Sequence, residues 1–251
     1  NNSQNIILNK NSLSQSMEKS EREFKDRLLA ILKDCYNVYT FLGKAYEKEV
    51  AADFLKEIID KSLIFLEPQR PQEMIDEELK EGLKMLGRYL NGLKSRVLKQ
   101  AELELAVEYA NLFLGVKGLP HPSESAYKSG FLMGDSTEDV IQTYRDAGVN
   151  LKEDFREPAD HVAVELYFMA YLSYKAAESL ADGRKYEVEK CLQVMQNFLD
   201  NHLLSWIPSF TENVLKFAET DFYRGLAAIT KRFIELNKTL TDHALKILRE
   251  V

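Results

Sequence analysis

Two cysteines, one tryptophan and four histidines are spread over 251 residues, and each scarcity narrows what the chain can be. Cys35 and Cys191 suit neither a disulfide framework nor a metal knuckle by spacing, and read as two reduced, packed thiols of a cytoplasmic protein. No apolar run approaches the roughly 18 residues a membrane helix needs, so no membrane insertion is expected. The polar N-terminus lacks the basic-then-apolar layout of a signal peptide. Acidic residues outnumber basic ones and the net charge is −7, which argues against nucleic-acid binding and mildly favours basic partners. Also missing are a Walker loop, a G-x-S-x-G elbow, any convincing strand and any repeat of fixed period.

What is there is helical periodicity, with 45% hydrophobic residues to supply a core. Residues 1–16, rich in Asn, Ser and Gln, read as an expression remnant or disordered arm, with Met17 as a natural start. Within them Ile6-Ile7-Leu8 is sticky enough to dock into a neighbour's groove. From Glu18, Leu28, Leu32, Cys35, Tyr36, Tyr39 and Leu42 recur at spacings of three and four, with Gly43 as the stop. Further helices are expected over 47–65, 72–86, 89–98 and 99–113, the last with Leu103, Leu105, Ala106, Tyr109 and Leu112 inward; the E-P-Q-R-P run at 67–71 is a break. Two glycines and two prolines make 115–125 a shaped loop. A helix over 137–147 is capped by Ser136 and closed by Gly148, and the polar connector 149–157 is a natural hinge. Helices over 186–202 and 209–218 are separated by Trp206-Ile207-Pro208. Asp221 and Thr241 each cap one more. The expected fold is all-α, a single bundle of about ten helices over residues 17–251.

The chain is organised around Glu157 to Tyr171, E-P-A-D-H-V-A-V-E-L-Y-F-M-A-Y. Pro158 suits a first helical position and Asp160 a first turn, ahead of a helix apolar on all sides and therefore central. His161 and Glu165 would face the same way. A metal would need more ligands, and only His121, His202 and His243 remain, so no metal and no cofactor are expected. Adjacent Asp160 and His161 point about 100° apart, which hinders a catalytic dyad. Two readings stay open on the residues alone: a cleft that holds extended peptide, and a structural cap above a core seam. The rival from another class is a metal- or nucleotide-dependent enzyme using Asp160, His161 and Glu165. Glu165 itself reads as a buried structural carboxylate with an internal partner such as a Tyr or His, and Trp206 as structural too.

Seven blocks, in order, resemble the TorD/DmsD family of cytoplasmic chaperones for molybdenum-cofactor oxidoreductases. They are E-Y-A-N-L-F (108–113), P-H-P-S-E-S-A-Y (120–127), F-L-M-G-D-S-T (131–137), Y-R-D-A-G (144–148), E-P-A-D-H (157–161), F-L-D-N-H-L-L-S-W-I-P (198–208) and F-Y-R-G-L-A (222–227). The resemblance implies a TorD-like helical protein that is not an enzyme. It would bind the twin-arginine leader of a reductase catalytic subunit, and the folded subunit as well, while cofactor is loaded before export. It implies a leader-binding patch at Pro158, Asp160 and His161, with Pro122 and Tyr127 beside it, and a monomer or a helix-swapped dimer. Ser123 stands where the family often carries tryptophan, which points to a different leader preference. Asp160→Ala and His161→Ala are expected to weaken leader binding, and Glu165→Ala to lower the melting temperature first.

Overall fold

The apolar stripe beginning at Leu28 lies against the one helix that is apolar all round, and that pairing sets the fold. In this computed structural model residues 2–60, 76–115, 120–130, 132–151 and 157–250 are described, with side chains from Glu18 onward. The first long helix, α1, is Asn2–Glu47, followed by α2 (Ala52–Asp60), α3 (Glu77–Leu93) and α4 (Leu98–Phe113). Then come a single turn, α5 (Glu124–Lys128), α6 (Asp135–Asp146) and the central α7 (Val162–Ala181). Helix α8 (Lys185–Phe198) passes through a π-helical turn, Leu199–Leu203, into α9 (Leu204–Phe217), and α10 (Asp221–Glu250) closes the chain. The fold is all-α as expected, with no strand among the described residues beyond one isolated bridge. None of the described helices is long and apolar enough to cross a membrane.

Helices α1 and α7 run antiparallel, because Tyr36 meets Tyr174 at one end (ring centroids 5.9 Å apart) and Gly43 meets the ring of Tyr167 at the other. The C-terminal end of α1 therefore lies beside the head of α7. A Cβ on Gly43 would sit 2.7 Å from Tyr167 Cε1, so this glycine serves close helix packing instead of ending α1, which continues to Glu47. Tyr36, expected inside, is 41% exposed at the rim of the same seam. Behind the seam stands an aromatic core in which Phe113 and Phe210 both approach Tyr46, and Trp206 packs on Phe210.

Several helix boundaries differ from those expected, each for a local reason. Residues 2–16 are helical backbone continuous with α1; neither proline nor glycine interrupts them. The two helices expected across 72–98 are one, α3, whose Asp76 caps it by accepting from the Leu79 amide (3.0 Å). The E-P-Q-R-P break lies outside the described residues, as do 61–65 of the second expected helix and 152–156 of the connector. Leu103 is 67% exposed, since it sits about 200° round the helix from the buried Ala101 and Leu105. Gly134, not Ser136, precedes α6. Trp206-Ile207-Pro208 lies inside α9, where the missing N–H of Pro208 removes one helical bond. Thr241 lies buried within α10, a 30-residue helix with no glycine or proline after Gly225 to stop it.

Candidate functional site

Pro158 does not open α7. The helix starts at Val162 and His161 is its N-cap, its Nδ1 accepting from the Ala163 amide (3.2 Å). That places Asp160 before the helix, where it turns toward the proline loop. Its Oδ2 accepts from the Ser125 amide (2.9 Å), and its backbone carbonyl from the Glu124 amide (3.0 Å). A buried carboxylate thus caps the first turn of α5, whose amides would otherwise be orphaned. The Val162 amide donates to Pro122 O (2.8 Å), and Ser123 pairs with His161 in the antiparallel bridge. Loop 120–128 and the head of α7, 35 residues apart at Asp160 and Ser125, are one structural unit. Tyr144 of α6 ties the approach down by donating to Ala159 O (3.0 Å).

A second polar layer lies beneath. Glu165 is wholly buried, accepts from Trp206 Nε1 (3.0 Å) and faces Glu124. Burial first, and then the charge of Glu124, pushes the Glu165 carboxyl well above the usual range and favours its protonated form. Burial pushes Glu124 up as well, but hydrogen bonds from His202 and Lys128 outweigh it and hold this carboxyl below the usual range. His202 Nδ1 stands 3.0 Å and 3.2 Å from the two Glu124 oxygens. Glu124 of α5 and Glu165 of α7 thus lie in one buried polar layer, with His202 of the π-helical turn as its third wall. Glu165 and His161 do not form the pair their spacing suggested: the imidazole caps the helix and the carboxyl faces an indole. Its partners are a tryptophan and a second acid, not the Tyr or His expected.

His161 is 2% exposed, and burial depresses its pKa to about 4, so the ring is neutral at pH 7. The unfolded chain binds that proton below about 6.5 and the folded one does not, so this residue costs stability as pH falls from 6.5 toward 4. Of the five residues expected in the patch, Pro122, Asp160 and His161 are buried, while Pro158 and Tyr127 are half-buried. Tyr127 packs on Trp206 (centroids 5.5 Å apart), and its hydroxyl lies 3.4 Å from Asn213 Nδ2. Ser123 is 1% exposed and faces inward, so this position offers no surface anchor here. Glu124, Tyr144 and Lys128 went unassigned in the sequence, and His202 was weighed only as a spare metal ligand. An acid set between two serines in a proline loop was the one available signal. Among the described residues no group of three or more His, Cys, Asp or Glu side chains is placed to hold a metal.

Residues 72–212 match the family model described as nitrate reductase delta subunit, a span that contains both halves of this unit. The chaperone protein TorD of Vibrio parahaemolyticus is 33% identical over 165 residues, covering 64% of this chain and 74% of that one. TorD of Photobacterium profundum is 32% identical over 163 residues (64% and 73%), and TorD of Vibrio cholerae 27% over 213 residues (83% and 92%). The chain belongs to the TorD/DmsD family. Its relatives are named as chaperones, a family not known as enzymes.

Proposed function

We propose that this chain is a cytoplasmic maturation chaperone that binds the twin-arginine leader of a molybdenum-cofactor oxidoreductase and holds the subunit back until its cofactor is in place. Besides family membership, one observation supports the reading: the proline loop and the head of α7 are stitched into a single unit by Asp160, Ser123 and Pro122. In this reading Tyr127 and Pro158 meet the leader, and Asp160 and His161 fix the surface they belong to. Affinity comes mainly from apolar burial, since an exposed charge pair adds little.

Calorimetry with twin-arginine leader peptides tests this. Saturable one-to-one binding is expected for the client leader. Asp160→Ala removes a charge-assisted bond of about 1.5–3 kcal/mol and frees the loop, so leader binding weakens by about tenfold or more while helical content stays. Normal affinity in both Asp160→Ala and His161→Ala would remove the patch from the account, and failure of every leader to bind would remove the leader.

A further inference from the structure

The stripe that α1 turns toward the core does not stop where the bundle does. Leu28, Leu32, Cys35, Tyr39, Leu42 and Tyr46 are all buried on one side of this helix. At about 100° per residue, positions Phe24, Met17, Leu13 and Ile6 fall within the same arc of roughly 100°. In the run Ile6-Ile7-Leu8, Ile6 is on the stripe, Ile7 borders it and Leu8 is off it.

The helices that cover the stripe, α7 and α10, run out near Phe24. Helix α7 ends at Ala181, which shares a cleft with Leu29. Helix α10 is antiparallel to α1, with Tyr46 on Thr230 and Tyr39 on Asn237; at that register its end at Glu250 falls beside Asp26. Glu18 to Glu23 are exposed without exception, and Phe24 is half-buried. The helix nevertheless extends to Asn2, about 33 Å further at 1.5 Å per residue.

Local propensity does not account for this arm. Asn or Ser stands at eight of positions 2–16, and both residues favour caps and turns over helix interiors. Such a helix persists by packing an apolar face. It cannot fold back on its own bundle, because the first glycine is Gly43 and the first proline Pro68. The cover must come from outside the chain.

The spacing of the stripe identifies that cover. Ile6, Leu13, Met17 and Phe24 are separated by seven, four and seven residues, a pattern identical in either direction. Laid antiparallel on a second copy, about a two-fold axis at position 15, Ile6 meets Phe24 and Leu13 meets Met17, each pair occurring twice. Lys10 then falls opposite Ser20 and beside Glu21 of the other copy, a polar layer that fixes the register. A parallel pair would drive the two bundles into each other, because α7 and α10 occupy the stripe side of α1. The antiparallel pair holds them at opposite ends.

We propose that residues 2–24 of α1 form an antiparallel two-stranded coil with the same segment of a second copy of this chain. No element leaves its own bundle, so this is not a helix-swapped dimer. The seam is short, and pairing is therefore reversible and concentration-dependent.

Sedimentation velocity of the full chain from about 1 to 200 μM, with small-angle scattering at the highest concentration, tests this. The expected result is a monomer–dimer equilibrium whose dimer scatters as two separated lobes. Leu13→Asp strikes the two-fold seam twice and weakens the dimer by about 100-fold or more. Gln15→Asp, on the opposite face of the same turn, pairs as the native chain does. Thermal melts show that both variants keep the bundle. A native chain that stays monomeric throughout, a compact dimer without separate lobes, or equal behaviour of the two variants overturns the proposal.

Discussion

Gly225→Val is expected to destabilise the protein by about 3 kcal/mol, a fall of roughly 6–12 °C in melting temperature for a chain of this size. A Cβ at Gly225 would lie 2.7 Å from the Leu86 amide nitrogen, 2.9 Å from Gly82 O and 3.1 Å from Leu86 Cβ. Two of these three atoms are backbone, so no rotamer change relieves the contact, and α3 and α10 must part. Gly82 makes the reciprocal approach, with Ile229 N 3.0 Å from its Cβ position. The control is Gly92→Ala on the same α3, where nothing lies within 4 Å; it should be neutral, or stabilise by up to about 1 kcal/mol through helix propensity. A Gly225→Val protein that melts with the native one would show that the α3–α10 contact is looser than described.

Glu165 gives the other large effect, and two substitutions separate its parts. Glu165→Ala strips the Trp206 indole of its acceptor and opens a hole under the loop, for a loss of about 2–4 kcal/mol. Glu165→Gln keeps the shape and accepts from the indole with its oxygen. The pH dependence identifies the proton. With its folded pKa raised, Glu165 contributes most below about 4.5, and that contribution is lost as pH rises toward the folded value. Glutamine has no proton to lose, so the melting temperature of Glu165→Gln should gain on the native chain from pH 5 to pH 8. A difference that stays flat across that range would mean that Glu165 is ionised in the folded protein.

How much of this was legible in the sequence depends on the range of the interaction. Helix α7 was plain, because a segment apolar on all sides has nowhere to go but the centre. Boundaries failed where one residue was given a local meaning that packing overrode: Gly43 faces Tyr167, Thr241 is core, and Pro208 lies inside α9. The nearness of the proline loop to Asp160 and His161 was accessible only through the motif blocks of the resemblance, since no local periodicity links positions 122 and 161. The orientation of Asp160 was not accessible at all. A carboxylate beside a helix start reads as a cap for that helix, whereas here it caps α5, 35 residues earlier. The pairing of Glu124 with Glu165 and His202 was equally hidden, because its three members come from three elements and none is unusual alone.

Hydrogen exchange of the native chain, with and without a saturating twin-arginine leader, tests the central claim most directly. Loop 120–128 and segment 157–162 are one unit in the fold and, in the proposed function, the surface the leader crosses. The leader is expected to slow exchange in both segments together, the Ser125 amide held by Asp160 included. Protection confined to another face, with these two segments unchanged under a bound leader, would contradict it.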